Sequence, residues 1–248
     1  MLLVSGTVLA VAGIAKDAAP AAQRQPLGLF GTLPIYWGES ASLGAMLGSE
    51  SENHWARAEL ERDHILQPLD IIGEGQTGDP LAGLNRLMLA QPRALSAAEN
   101  VALDAWVRKG GRLLLFADPM LTAHSLYPLG DSRRPHDVVL LSPILAHWGL
   151  RLEYDDAQME GERIVAVRSG LSIPVNLPGR LAQLPASPDR ADPPACMMAA
   201  DGLVAQCRIG DGQALIVADA AMLEPSADAQ GLRKKALSQL VSEAFVAR

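Results

Sequence analysis

Residues 87–119, LMLAQPRALSAAENVALDAWVRKGGRLLLFADP, decide the fold of this chain. Two apolar runs, 87–90 and 112–117, flank a segment with helical periodicity. Strand, helix and strand in this order form a right-handed βαβ unit, whose two strands are parallel because the helix returns the chain to the end of the sheet where it started. The stretch therefore predicts a parallel sheet.

The helix of this unit has signals at both ends. Ser96 and Glu99 form a capping box, in which each side chain accepts a backbone N–H at the helix start, so we expect the helix to begin at Ala97. Lys109 and the two glycines after it supply a late positive charge and a left-handed stop. The positions that recur at the helical period, and that we expect to face the core, are Ala98, Val101, Ala102, Ala105 and Trp106.

The rest of the chain continues this alternation. Before the central unit we expect a strand at 27–31, a helix at 52–62 and a second strand at 65–72. After it we expect an exposed loop at 124–136, a short helix at 143–148, strands at 164–167, within 195–208 and at 213–218, and a closing helix with Leu232, Ala236, Leu237, Leu240, Val241 and Phe245 on one face. The pattern predicts an α/β protein: a mostly parallel open sheet with helices on both faces, a C-terminal β-hairpin and a closing helix.

The two cysteines lie on either side of Asp201-Gly202, which is the strongest short signal for a two-residue hairpin turn. A turn at that pair places Cys196 directly opposite Cys207, with Cα atoms about 5.5 Å apart if the pair is hydrogen-bonded. The cysteines then form either a disulfide or a pair of reduced, buried thiols, and the choice depends on the compartment. Two cysteines without a neighbouring histidine do not make a zinc site.

The N-terminus is the only indicator of compartment. Residues 1–15 are apolar and 16–23 are a small-residue linker, so 1–25 is interpreted as a signal or membrane tether with its linker, and 26–248 as a single α/β domain. No basic residue precedes the apolar run, and about 15 residues are short for a span of about 20. The alternatives are that residues 1–15 form a first β-strand or reflect a truncated choice of start codon, with a cytoplasmic location.

Composition excludes one class of partner. The net charge is −7 and the pI is near 5.2, and no cluster of lysine and arginine is present, so a nucleic-acid partner is not expected. Aromatic residues make up only 4% of the chain, which also disfavours stacking of aromatic side chains on bases or sugars.

The ends of the parallel strands supply the candidate binding residues. Ligands of open α/β sheets bind beyond the carboxyl ends of the strands, and Thr32, Gln91, Asp118 and Asp219 occupy those ends here. Aspartate at a strand end is also a common cap and turn residue. The four residues are therefore candidates for the floor of a ligand crevice, with a structural role as the alternative.

Other catalytic patterns are missing from the sequence. It has no P-loop, dinucleotide-binding glycine turn, zinc helix or nucleophile elbow. His124, Asp131, His136 and Asp137 share one loop, but their spacing fits no regular set of metal ligands, and His54, His64 and His147 are isolated. We therefore expect no metal and no cofactor.

The pattern of helix caps, glycines and strand ends in residues 87–119, together with 141–150 and 212–223, resembles that of the GldG-like accessory proteins of uncharacterised ABC-type transport systems. That resemblance covers most of 84–223. It implies an α/β domain shared with intraflagellar-transport proteins and, more distantly, with class I glutamine amidotransferases, so the sheet is expected to be amidotransferase-like or flavodoxin-like. The amidotransferases need a cysteine nucleophile at a strand-to-helix turn, and this sequence has none there.

Two functions follow. The resemblance implies a non-catalytic binding or scaffolding domain that works with ABC-type transporter subunits or other envelope proteins, in the periplasm or anchored to the membrane facing it. The alternative is a hydrolase or small-ligand enzyme that uses Asp118 and Asp219, with His124 as a further candidate. The absence of an activated nucleophile favours the first.

Overall fold

The computed structural model describes residues 24–39, 54–75, 78–168, 170–185, 193–224 and 230–246. The strands are β1 (Gln25–Gly31), β2 (His64–Pro68), β3 (Arg86–Ala90), β4 (Arg112–Phe116), β5 (Leu150–Glu153), β6 (Arg163–Arg168), β7 (Leu171–Val175), β8 (Arg180–Gln183), β9 (Ala195–Ala199), β10 (Val204–Ile209) and β11 (Gly212–Val217). The α-helices are α1 (Trp55–Leu60), α2 (Ala97–Arg108), α3 (Ser142–His147) and α4 (Gln230–Phe245). The predicted N-terminal signal or tether, 1–25, lies outside the described residues apart from its last two.

Seven strands form one sheet in the order β2-β1-β3-β4-β11-β10-β9. The first five are mutually parallel, and β10 pairs antiparallel with both of its neighbours. The βαβ unit predicted from residues 87–119 is present, with β3 and β4 paired directly. The predicted fold class is confirmed.

The sheet has a hydrophobic core on each face because successive strand residues point to opposite sides. In β3, Leu87 and Leu89 belong to the core that α2 and α3 cover, whereas Met88 and Ala90 belong to the core that α1 and α4 cover. Helices therefore lie on both faces, as predicted.

Helix α2 begins at Ala97 with the predicted capping box, but the prediction of its buried face was wrong. Its buried residues are Glu99, Leu103 and Val107, and Val101 is 70% exposed. The helix buries Leu103 and Val107 against the sheet and leaves Val101 in solvent. The alanines that suggested the other face gain little from burial. Trp106 is partly buried, and its indole N–H donates to the Leu84 carbonyl oxygen at 2.9 Å.

The C-terminal hairpin has the predicted register. Cys207 pairs with Cys196 across β10 and β9, and a disulfide joins the two residues. Their Cα atoms are 4.0 Å apart, so the pair is nearer to the non-hydrogen-bonded than to the hydrogen-bonded spacing. Asp201 and Gly202 both have positive φ, as the predicted turn requires.

Two small sheets, β5 with β8 and β6 with β7, lie beside the main one. Strands β7 and β8 fall partly within the proline-rich stretch 174–194, to which the sequence assigned no strand. Pro174 fits into β7 because β7 pairs with one strand only, so its missing N–H removes no ladder bond from a central position. The predicted second strand, 65–72, ends early at Pro68.

No helix within the described ranges is long and apolar enough to cross a membrane.

Candidate functional site at the carboxyl edge of the sheet

The four predicted crevice residues lie along one edge of the sheet. Thr32, Gln91, Asp118 and Asp219 directly follow or lie just beyond the carboxyl ends of β1, β3, β4 and β11. Hydrogen bonds link Thr32 to Gln91 and Gln91 to Asp118. Asp219 is next in sequence to Ala220, whose N–H donates to the Asp118 carboxylate. We call this set, with its bonding partners, the buried edge.

Gln91 lies at the turn from β3 toward α2. Its φ is 48°, its side chain is 0% exposed, and its amide N–H groups donate to the carbonyl oxygens of Asp118 (3.0 Å) and His136 (2.9 Å). The amide oxygen accepts from the Asp118 N–H at 2.9 Å. A strained strand-to-helix turn is where a nucleophile elbow presents its reactive side chain; here that place holds an amide that joins loops and has no nucleophilic atom.

Thr32 connects β1 to the same network. Its hydroxyl donates to the Gln91 carbonyl oxygen at 2.6 Å and accepts from the His136 N–H at 3.1 Å. Both functions of the hydroxyl are therefore used within the protein.

Asp118 is 0% exposed, and both of its carboxyl oxygens accept backbone N–H groups. Oδ1 accepts from Met120 at 2.8 Å, and Oδ2 accepts from Ala220 at 2.9 Å, so the side chain ties the loop after β4 to the loop after β11. Burial raises the pKa of Asp118 to about 7, and the nearby charge of Glu224 adds to the rise.

Asp219 has the same arrangement. Its Oδ1 accepts from the Ala221 N–H at 2.8 Å, and its Oδ2 accepts from the Asn176 N–H at 3.0 Å. Burial raises the pKa of Asp219 well above its ordinary value, and the charge of Asp118 raises it further. The side chain joins the main sheet to the end of β7.

The expected ligand crevice is therefore closed at three of its four residues. Gln91, Asp118 and Asp219 are all 0% exposed, and their side-chain oxygens bind backbone N–H groups. The physical reason is that the loops after β4, β7 and β11 meet over these side chains and supply the donors. The carboxylates of Asp118 and Asp219 therefore hold these loops together.

Among the remaining sequence candidates, His136 bonds to the buried edge through its backbone N–H and carbonyl oxygen. The structure shows no hydrogen bond from the side chains of His124, Asp131 or Asp137 to the buried edge among the described residues. His124 is exposed, and the carboxylates of Asp131 and Asp137 pair with Arg133 (2.7 Å) and Arg134 (3.3 Å). His54 is buried and caps α1 by accepting the Ala56 N–H, and burial lowers its pKa to about 4. Within the ranges given above, no group of three or more histidine, cysteine or acidic side chains is placed to hold a metal ion.

An open cavity lies next to the buried edge. The strand order reverses between β1 and β3, which is the topological switch point where open α/β sheets bind ligands. A cavity of about 170 Å³ lies there, which we call the switch-point cavity. It is lined by Leu29, Gly31, Thr32, Leu33, Pro34, Tyr36, Trp37, Gly38, Glu39, Pro68, Leu69, Asp70, Ala90, Tyr127 and Arg133.

Of the four predicted crevice residues, Thr32 lines this cavity. The sequence analysis missed Trp37, Glu39, Asp70 and Arg133. A signal was available for Trp37, since an adjacent Tyr-Trp pair follows the first strand in a chain with only 4% aromatic residues. For Asp70 and Arg133 there was no such signal, because their loops reach the cavity only in the folded chain.

Solved structures share this fold at low sequence identity. The chain matches the mmIFT52 N-terminal domain with a TM-score of 0.53 and 16% identity, covering 89% of this chain and 97% of that domain. It matches the cytoplasmic protein STM3548 from Salmonella typhimurium with a TM-score of 0.50 and 10% identity, over 91% and 99% of the two chains.

An enzyme is also among the similar structures. An exo-beta-1,4-mannosidase from Opitutaceae bacterium strain TAV5 matches with a TM-score of 0.51 and 15% identity. The match covers 92% of this chain, which spans 37% of the mannosidase. At these identities the likeness establishes the fold alone.

No curated protein matches the sequence at a significant level. The family described as "ABC-type uncharacterized transport system" matches residues 55–178, which is half of the 248 residues and includes β3, α2, β4 and the whole segment from there to β7. The chain belongs to this family of ABC-type uncharacterized transport systems.

Proposed function

We propose that the chain is a non-catalytic binding or scaffolding component of an ABC-type transport system and acts at the bacterial envelope, on its periplasmic side. Family membership supports the link to a transport system. The observation that carries the non-catalytic role is the state of Asp118 and Asp219. Both are fully buried, and all four of their carboxyl oxygens accept backbone N–H groups.

A hydrolase at this edge would need an acid or base within reach of the substrate. Asp118 and Asp219 do not offer this, and the strained turn after β3 carries Gln91, whose amide is bonded to two loops. These contacts favour a domain in which the residues at the strand ends hold loops together. We therefore place the function of the chain in what its surface and cavities bind.

The disulfide supports the periplasmic location. Disulfides persist in oxidising compartments such as the periplasm and are rare in the bacterial cytosol, and Cys196 and Cys207 are joined across β9 and β10. Thiol titration of protein from its native cell, denatured without reductant, tests this: we expect no free thiol. Two free thiols would place the chain in the cytoplasm instead.

Affinity purification from native membranes in mild detergent tests the assembly. We expect a nucleotide-binding subunit and a membrane-spanning subunit of one transport system to co-purify with the tagged chain in fixed ratio. A tagged, secreted protein of similar size and unrelated sequence serves as the control. Purification without transporter subunits would contradict the proposed partnership.

The non-catalytic role needs its own test. The purified chain is assayed on ester, amide and glycoside substrates beside Asp118→Asn, and we expect no turnover above the buffer rate for either protein. Hydrolysis by the wild type that is lost in Asp118→Asn would establish the enzyme instead.

A further inference from the structure

We propose that the switch-point cavity binds a guanidinium or ammonium head group, with the indole of Trp37 as its platform and the carboxylates of Glu39 and Asp70 as its counter-charges. This inference concerns the cavity alone and does not depend on the partnership with a transporter.

Trp37 differs from the other three tryptophans. Trp55, Trp106 and Trp148 are buried or partly buried, and each indole N–H donates to an oxygen at 2.9 to 3.1 Å. Trp37 is 74% exposed, and its N–H makes no hydrogen bond among the described residues. A large aromatic side chain that is mostly exposed to solvent adds little to the stability of the fold. Trp37 lies at the switch point, where open α/β sheets bind ligands, and aromatic residues commonly line binding sites.

The other aromatic rings of the cavity already bind cations. The Arg57 guanidinium lies over the ring of Tyr36 at 4.4 Å from its centroid, and that of Arg133 lies over the ring of Tyr127 at 4.2 Å. Trp37 packs edge-on against Tyr36, with ring centroids 4.8 Å apart and planes at 74°, which holds the indole in place. Since tryptophan is the strongest of the aromatic residues in cation–π contacts, its exposed ring is suited to a further cation.

The carboxylates of the cavity lack a cationic partner in the described part of the chain. Glu39 accepts from the Ser125 hydroxyl at 2.7 Å and the Leu126 N–H at 2.6 Å, but it has no ion pair there. Asp70 is exposed, and its carboxylate has neither a hydrogen bond nor an ion pair with a described residue. Among the described residues, Glu39 therefore has only neutral partners and the Asp70 carboxylate has none, so two unpaired negative charges line the cavity.

The nearby arginines do not neutralise these charges, because each is paired elsewhere. Arg133 makes two hydrogen bonds to the carboxylate of Asp131, at 3.0 and 2.7 Å. Arg93 donates to the backbone oxygen of Asp70 at 3.0 Å but forms its ion pair with Glu99 at 2.7 Å. A cation that enters the cavity meets an aromatic platform and unbalanced negative charge together.

The size of the cavity limits the ligand. About 170 Å³ corresponds to roughly five or six water molecules, well below the 300 to 1,000 Å³ of typical cofactor sites. The head group of an arginine or lysine side chain from a partner protein fits this space, and so does a small free organic cation. Both sources share the same chemistry.

The test uses a matched pair of probes, n-butylguanidinium and its neutral analogue n-butylurea, titrated by calorimetry and by NMR. We expect butylguanidinium to bind in the millimolar range, at least about tenfold more tightly than butylurea, and more weakly as salt is raised. Trp37→Ala and Asp70→Asn should each weaken binding about five- to tenfold. Glu160→Gln, which removes an exposed carboxylate outside the cavity, serves as the control and should have no effect.

Equal binding of the two probes, no binding up to tens of millimolar, or unchanged binding in both cavity variants would overturn the proposal. Co-purification with Trp37→Ala then separates the two sources of the cation. Loss of transporter subunits from this variant identifies a side chain of a partner as the ligand, whereas retained subunits with lost butylguanidinium binding identify a small free cation.

Discussion

The carboxyl edge of the sheet contains two neighbouring regions with opposite character. At the buried edge, around β4 and β11, Asp118 and Asp219 are covered by loops and fully bonded to backbone N–H groups. At the switch-point cavity, between β1 and β3, Trp37 is 74% exposed, and Asp70 has no bonding partner for its carboxylate among the described residues. Gln91 and Thr32 lie at the junction and bond to each other.

The difference shows that polar residues at strand ends have different roles within one edge: the buried ones hold loops together, and the exposed ones are those to which we assign binding. In open α/β folds, ligands bind beyond the carboxyl ends of the strands. Here the loops after β4, β7 and β11 have closed one half, and the carboxylates there replace water as acceptors for loop N–H groups. In the other half, the Trp37 indole and the Asp70 carboxylate make no hydrogen bond with a described residue, and this is where we propose that binding occurs.

The strongest test of the structural role of the buried edge is to remove a hydrogen-bond acceptor from it. Asp118→Ala removes the acceptor of the Met120 and Ala220 N–H groups. The Ala220 donor is buried, and a buried, unsatisfied donor costs about 1–3 kcal/mol, whereas Met120 is 37% exposed and loses only the net value of a hydrogen bond, about 1 kcal/mol. We expect the free energy of unfolding to fall by about 2–4 kcal/mol at pH 5, measured by urea denaturation. Asp118→Asn, which keeps one acceptor, should lose less. A loss below about 0.5 kcal/mol in Asp118→Ala would mean that the carboxylate does not hold the loops.

The pH dependence of stability gives a second test. Burial raises the folded-state pKa of Asp118 from 3.8 to about 7, so the folded protein binds this proton more tightly than the unfolded chain. The contribution of Asp118 to the free energy of unfolding is therefore fully present below about pH 4 and is lost as pH rises to about 7, by up to roughly 4 kcal/mol. Asp118→Asn should flatten this decrease, whereas Trp37→Ala should preserve it. A wild-type stability that rises over this range would contradict the assignment.

Thr32→Val tests the junction between the two regions. The substitution keeps the shape of the side chain but removes the hydroxyl that donates to Gln91 and accepts from His136. We expect a loss of about 1–2 kcal/mol in thermal or urea unfolding, with the amide signals of both partners shifted in NMR spectra. Unchanged stability would show that the two regions are not joined through this hydroxyl.

The smallest effect is expected at the cavity. Trp37→Ala should change the free energy of unfolding by no more than about 0.5 kcal/mol, because an exposed side chain with no hydrogen bond to a described residue contributes little to the folded state. The same urea titration used for Asp118→Ala measures it. A loss of several kcal/mol would show that Trp37 is part of the core, and the division between a structural and a binding half would then fail.

The sequence by itself determined the features that depend on neighbours along the chain. Ser96 and Glu99 predicted the start of α2 because a capping box is formed within four residues. Asp201-Gly202 predicted the register that pairs Cys196 with Cys207, because a two-residue turn leaves only one alignment of its strands. The apolar runs at 87–90 and 112–117 predicted parallel strands because a single helix separates them along the chain.

Only the tertiary structure decided which strand-end residues are covered. One of the two hydrogen bonds that Asp118 accepts comes from the N–H of Ala220, 102 residues away. One of the two that Asp219 accepts comes from the N–H of Asn176, 43 residues away. The buried face of α2 and the cavity around Trp37 likewise depend on which segments meet in space. Burial and hydrogen bonding over such separations are set by loop packing in three dimensions, and no local pattern in the sequence encodes them.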